Sequence, residues 1–450
     1  MAESTTTRDH SVGQLRRILG LGFGLAVNIG SIIGIGILRA PGLVAGRLHT
    51  TTAILLVWVL GGLYTLVGAS CMTELGAMLP QAGGYYVYAR RAFGEWVGFA
   101  VGWTDLGTYC AVLGYVSIGM SDFLGKLVPA LAGHTRPLAI GLALGFVGMQ
   151  WAGVRITSWF QEWTTALKFL AFLALVVAAL VLSGTGEGAA LPAAPPQSLT
   201  LAGVIAALQV VTITYAGWQS ALYFTEEDRD PVKNLPRAMI GGVVAVIVIY
   251  LLVNLALLAT LSIPELASSK LPAADAAQHI VRGRGGQIIT ALSLISLPPL
   301  LNAMLMVGTR VLFALGRDGM LWSRAAEVNA RGTPVVATMI LTAAGVALIA
   351  AFGDFEGLVA IAAFYLALNY AVSCLALVVL RRREPDLPRP LRAWGYPWSA
   401  AIVVAGATAF LIGAIVADTR AAAVAAGLLA VGLGMHAVRR RRRAVRATGS

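Results

Sequence analysis

Charge is what this chain has least of. Only 12% of its 450 residues are Asp, Glu, Lys or Arg, where soluble domains carry about a quarter. Hydrophobic residues make up 58%, and the mean hydropathy is +0.79. A soluble protein could not cover that much apolar surface with so few charges, whereas a bilayer, itself an apolar solvent, can. Cysteine is scarce. Cys71, Cys110 and Cys374 all lie inside apolar stretches, which excludes a disulfide scaffold and a Cys/His zinc motif and predicts three free thiols. The five histidines, His10, His49, His134, His279 and His436, sit at ends or in loops without ligand spacing, so no metal or cofactor is expected. An intramembrane enzyme would need His, Asp or Cys clustered at depth. None is present, and no enzymatic activity is expected. Long polar linkers are missing as well. The longest polar stretches, 183–199, 262–286 and 381–398, cannot separate soluble domains. Residues 1–12 are polar and Thr-rich, without the apolar core and cleavage site of a secretory signal.

What remains is a succession of long apolar runs. A helix needs about 20 mostly apolar residues to cross a hydrocarbon core of about 30 Å. Spans are predicted near 18–46, 51–79, 95–120, 137–154, 158–182, 201–225, 237–262, 286–315, 334–352, 357–380, 399–417 and 420–437. Backbone in lipid must satisfy its own hydrogen bonds, and the alternation of a barrel is not seen, so the expected class is an all-α membrane protein of about twelve helices. The net charge of +12 does not point to nucleic acid, because the basic residues are sorted by side. With the N-terminus cytoplasmic, 23 of the 33 lysines and arginines fall on the cytoplasmic side, among them Arg16, Arg17, Arg90, Arg91, Arg381 to Arg383 and Arg439 to Arg443. Seven fall outside (Arg47, Lys126, Arg136, Lys270, Arg282, Arg284 and Arg420), and Arg39, Lys168 and Arg310 lie within spans. This is the positive-inside bias. It places both termini in the cytoplasm of a multi-pass protein of the plasma (inner) membrane, with the final arginine run against anionic lipid. The loop 183–199, with Pro192, Pro195 and Pro196, is an outer loop. The loop 262–286 is expected to carry a short helix over the outer face. The amphipathic stretch 79–94, with Tyr85, Tyr86, Tyr88 and Phe93, is expected to lie at the cytoplasmic interface.

Two spans break the helical pattern. In the first, Gly30, Gly34 and Gly36 fall within seven residues and Pro41 follows. In the sixth, Thr212, Thr214, Tyr215, Gly217 and Gln219 interrupt an apolar run. A single glycine-rich span reads as close helix packing. A pair reads differently, because spans 1 and 6 open two successive five-span blocks, and broken helices in corresponding positions mark a transporter site at the bilayer midplane. Helix N-terminal ends at such a break favour anions and freed carbonyls favour cations, which suits the carboxylate and ammonium of an amino acid.

Four stretches resemble the amino acid–polyamine–organocation (APC) superfamily, nearest to its L-type amino-acid transporter and bacterial permease branch. They are Gly34 to Leu38, Glu74 to Tyr88, Tyr215 to Gln219 with Glu226-Glu227 and Asn234 to Pro236, and Gly316 to Gly319 with Thr333-Pro334. The resemblance runs from about Gly20 to Tyr396. It implies a LeuT-like core of two inverted five-helix repeats, 18–182 and 201–380, with broken helices 1 and 6. A cytoplasmic tail (1–17) precedes the core, helices 11 and 12 (399–437) follow it, and a basic cytoplasmic tail (438–450) ends the chain. It also implies that N–H groups of Ile35 and Gly36 bind the substrate carboxylate and that carbonyls of Ile32, Ile213 and Ala216 take the ammonium. Gln219 stands where many relatives have Asn, Ile35 where others have Ser, and Leu257 where some large-substrate relatives have Tyr.

Lys168 lies about ten residues into the fifth span, near the midplane, where a lysine is expensive and usually faces a cavity or partner. Similar permeases have a lysine here where sodium-coupled relatives bind a cation. The resemblance therefore implies sodium independence, with Lys168 a structural cation or a proton carrier. Asp105 is open to three readings: a proton site, a partner of Lys168, or a residue near an interface. Asn28, Asn254, Asn302 and Asn369 are expected as interhelical hydrogen-bond glue. Tyr215, Trp218 and Tyr365 are candidates to line the pocket or simply to fill the core. Glu226 and Glu227 are expected in a cytoplasmic charge network with Arg229, Lys233 and Arg237. The expected function is amino-acid transport by alternating access, as exchanger or proton symporter. A membrane amino-acid sensor and a permease for amines or polyamines are the alternatives. The partners expected are a small-molecule substrate and lipid, with no nucleic acid. The loop 121–136 has no cysteine, so no disulfide-linked helper subunit is expected.

Overall fold

Apolar runs of this length fold into helices, and the computed structural model is a bundle of them. It describes residues 14–183, 199–281, 283–352 and 355–448. Residues 1–13 of the N-terminal tail, Pro192, Pro195 and Pro196 of the outer loop, Arg282 and residues 449–450 lie outside the described residues. The first span is two helices, α1 (Leu21–Ile32) and α2 (Gly36–Leu48), bent by 46° at a three-residue break. α3 (Thr51–Met78), the short α4 (Tyr85–Phe93), α5 (Glu95–Leu127), α6 (Thr135–Trp151) and α7 (Val154–Ser183) follow. The sixth span is α8 (Leu201–Thr214), a turn over 215–219 and a 3-10 helix, Ser220–Phe224. Then come α9 (Pro231–Thr260), the short α10 (Ile263–Ser268) and α11 (Pro272–Ile280), α12 (Gly285–Arg317), α13 (Val335–Phe352), α14 (Phe355–Arg383), α15 (Trp398–Ala417) and α16 (Thr419–Thr448).

Among the described residues, nine helices are long and apolar enough to cross a membrane, and the bent α1–α2 pair makes a tenth. The other two of the twelve expected spans fall on α6, of 17 residues, and α8, of 14. A helix of 14 residues rises only about 21 Å, so α8 reaches across a bilayer only through the irregular backbone that follows it. α12 and α5 are the inner helices, with 72% and 67% of their apolar centres buried against 17% for α15. The outer helices turn large apolar side chains outward, among them Leu167, Leu170, Val177 and Val181 on α7, which only a lipid environment accommodates. Both ends of the described chain reach one loop: Arg16 donates to the Ala330 carbonyl (2.5 Å) and Arg439 to that of Leu321 (2.6 Å). The termini therefore share a face.

The 79–94 stretch packs its aromatic face on protein, and one expectation, for the loop after α9, is corrected. Tyr85, Tyr86 and Tyr88 are all fully buried, because α4 tucks beneath α5 and α14 and spends its aromatic rings on protein instead of headgroups. The loop 262–286 carries two short helices, not one, and α2 closes against them: a Cβ on Gly42 would stand 2.8 Å from the Leu266 carbonyl oxygen.

Three of the four asparagines bridge helices. Asn28 donates to the Ala238 carbonyl on α9 (3.0 Å) and accepts from the Ala221 N–H (2.9 Å). Asn302 joins Gln150 and Gln161 at 2.8 Å each, and Asn369 accepts from Thr104 (2.7 Å). Asn254 instead donates to the Tyr250 carbonyl of its own helix (2.8 Å), because residues four apart on one helix are as near as any neighbour.

Candidate functional site

The two breaks meet backbone to backbone. Gly217 has φ +109°, a conformation L side chains resist. A Cβ there would lie 2.6 Å from the Ser31 carbonyl oxygen. Tyr250 of α9 clasps the same crossing, its hydroxyl lying 3.0 Å from the Ile32 carbonyl oxygen and 3.1 Å from that of Thr214. These are the last residues of α1 and α8. Beside the crossing is a cavity of about 320 Å³. Ile32, Ile35, Gly36, Ile213, Ala216 and Gln219, the six residues proposed from sequence, all line it.

The cavity has opposite poles. α2 begins at Gly36, and the N–H groups of a first helical turn lack intrahelical acceptors. Among the described residues the N–H groups of Gly34 and Ile35 also donate to nothing. α1 and α8 end there with their carbonyls, the negative ends of two helices. The rest of the wall is mostly apolar, from Val112, Leu297, Leu300, Met304, Ala362 and Leu366, with Tyr109 and Tyr115 beside them. The Gln219 amide oxygen accepts from the Tyr370 hydroxyl (3.0 Å), which fixes its orientation. A second cavity of about 420 Å³, lined by Asp122, Lys126 and Glu356 among others, shares Ile35, Arg39 and Phe355 with the first. It is the vestibule of the inner cavity, on the face opposite the termini.

Lys168 is fully buried. Its ammonium donates to the carbonyls of Gly30 (2.9 Å) and Ile33 (2.6 Å), and Ser296 of α12 lies 3.5 Å from the same Ile33 oxygen. The lysine therefore holds the end of α1 from behind and does not line the cavity. Asp105 is not its partner: it accepts from the Tyr223 hydroxyl (2.7 Å), within a group of rings that includes Tyr85, Tyr109 and Tyr370. Tyr215, Trp218 and Tyr365 are core residues and not cavity lining. The Tyr215 hydroxyl donates to the Trp58 carbonyl (3.3 Å), Trp218 packs on Tyr370, and Tyr365 donates to the Ala425 carbonyl (2.7 Å). Leu257 is also buried away from the cavity.

The terminal face is shut by ion pairs. Glu227 and Arg310 form a buried bidentate pair (2.8 and 3.0 Å), with Phe224 under the guanidinium. Glu226 binds Arg317 (2.8 and 3.0 Å) and the Ala82 N–H (2.9 Å). Asp318 takes Arg90 and the Tyr86 hydroxyl, and Glu74 takes Arg381 and the Ala393 N–H (2.6 Å). The partners expected for Glu226 and Glu227 are therefore corrected. The 3-10 helix rotates both carboxylates inward to α12, away from Arg229, Lys233 and Arg237, of which Lys233 pairs with Asp230. Sequence reading missed Tyr250, Arg39, Phe355 and the α12 wall. Each comes from a different span, and none carries a local signal beyond a polar or aromatic residue in an apolar run.

Known proteins resemble this chain in sequence. A family model described as amino acid permease matches residues 24–435. The serine/threonine exchanger SteT of Bacillus subtilis (strain 168) is 27% identical over 411 residues, 90% of this chain and 92% of its own length. The large neutral amino acids transporter small subunit 2 of Mus musculus is 28% identical over 387 residues, 84% and 73% of the two chains. The b(0,+)-type amino acid transporter 1 of Mus musculus is 27% identical over 419 residues, 91% and 85%.

Proposed function

Because the chain belongs to the amino acid permease family, we propose that it is a sodium-independent amino-acid exchanger working by alternating access. The observation that carries this is the pair of broken spans meeting across one cavity, with helix N-terminal N–H groups on one side and two helix C-terminal ends on the other. Such a site binds a zwitterion without any buried protein charge. N–H groups of Ile35 and Gly36 take the α-carboxylate. Carbonyls of Ile32, Ile213 and Ala216 take the α-ammonium, and the Gln219 side chain adds a polar wall. Residues 18–182 and 201–380 are the two repeats that rock against each other, with both termini cytoplasmic.

Sodium independence rests on Lys168, whose ammonium already occupies the Gly30 and Ile33 carbonyls. Exchange, and not proton symport, is the reading that agrees with SteT, which is named an exchanger. The test is uptake of labelled amino acids into proteoliposomes. Internal amino acid should drive uptake, replacing sodium should leave it unchanged, and amino-acid esters and simple amines should not compete. Uphill uptake driven by an acid-outside gradient into empty vesicles would identify a proton symporter instead. Binding without flux would identify a sensor, and equal competition by amines an amine permease.

A further inference from the structure

Among the described residues the inner cavity contains one formal charge, and the binding scheme above does not use it. Among its lining residues, Arg39 is the only charged side chain. It lies on α2 three residues after Gly36, on the same helical face and about 4.5 Å further along the axis. It is exposed to the cavity and also borders the vestibule. Its guanidinium stands over the Phe355 ring, 5.8 Å from the centroid, and among the described residues it has no hydrogen bond or ion pair. The other two basic residues within spans are committed, Lys168 to two carbonyls and Arg310 to Glu227.

A guanidinium at the mouth of a mostly apolar cavity, with no hydrogen bond or ion pair among the described residues, recruits an anion. Its N–H fork fits a carboxylate in bidentate fashion, and an aromatic face beneath it keeps the cation in place. Among the described residues the acidic side chains nearby, Asp122 and Glu356, line the vestibule and not the inner cavity, and the Asp122 carboxylate accepts from the Thr135 hydroxyl (3.2 Å); Asp354 lies outside the described residues. The α-carboxylate already has the N–H groups at the start of α2, so the anion that suits Arg39 is a second one, carried by the substrate side chain. We infer that Arg39 is a side-chain subsite and that the transported class includes acidic amino acids. This rests on the amino-acid reading above and specifies its substrate.

The experiment uses the isosteric pairs glutamate/glutamine and aspartate/asparagine as competitors of labelled uptake in proteoliposomes of the full chain. Wild-type protein should prefer the acid of each pair by about tenfold, the size of one charge-assisted hydrogen bond. Arg39→Gln should bring that ratio to about one, and Arg39→Lys should keep part of it. A wild-type ratio near one overturns the inference and needs no variant. So does an equal loss for acid and amide in Arg39→Gln, since the guanidinium would then serve the carboxylate common to all substrates. If no amino acid competes at all, the transporter reading fails as well, an outcome distinct from neutral competitors succeeding where acidic ones do not.

Discussion

At the scale of single residues, two glycines do different work. Gly36 faces the cavity, and a Cβ there would sit 3.2 Å from the Thr214 side chain, a contact that can yield. Gly217 has a left-handed backbone and would drive its Cβ into the Ser31 main chain, which cannot yield. Gly36→Leu should therefore abolish uptake while thermal stability in detergent stays near wild type. Gly217→Ala should lower the melting temperature as well as uptake, because the crossing of the two broken spans must open. Uptake near wild type in Gly36→Leu would mean that the first break serves packing alone.

At the scale of elements, α7 acts on α1 through one ammonium. The end of α1 exposes carbonyls that would otherwise be unpaired in an apolar interior, and hydrogen bonds to a charged group are worth about 1.5–3 kcal/mol each. Lys168 supplies two of them, and Ser296 approaches the same Ile33 carbonyl from α12. Lys168→Ala should reduce uptake by about tenfold or more without making it sodium-dependent. Uptake by wild type and variant, measured in sodium and in choline, checks both parts. A shorter side chain that left transport intact would show that the break holds its shape without this tie.

At the scale of the molecule, the protein is open towards the vestibule and shut at the terminal face. The closure is unevenly strong. Breaking the buried Glu227–Arg310 pair costs about 3–5 kcal/mol, since the remaining charge is left unpaired. Glu226–Arg317 is only partly buried and is worth far less. It is therefore the natural place to loosen the closure without unfolding the protein. Ile35 lines both cavities, so Ile35→Cys should react with a membrane-impermeant maleimide applied from the vestibule face. Adding Arg317→Ala should lower that labelling by shifting the population towards the alternate opening. Unchanged labelling would place the gate elsewhere in the network.

The sequence by itself determined the features that are local along the chain. Apolar runs longer than a bilayer is thick become helices, and clustered glycines mark where a helix cannot continue. That is why the breaks at Gly34 to Gly36 and at Gly217 are legible in the sequence and why Lys168 stands out by depth, whereas the six residues beside the breaks follow from the resemblance to the APC superfamily. The tertiary structure alone decided what depends on two distant segments coming together. Tyr250 reads as one more aromatic in an apolar run until its hydroxyl is found between α1 and α8. Arg39 reads as a charge in a span until it proves, among the described residues, to be the only charged side chain lining the cavity. Glu226 and Glu227 had three basic neighbours in sequence, yet they bind Arg317 and Arg310 about 80 to 90 residues away. Asp105 and the rings of Tyr85, Tyr109 and Tyr370 share one group through a similar convergence. Periodicity records which face of a helix is apolar. It does not record which other helix that face meets, because the partner is chosen by packing across the whole bundle.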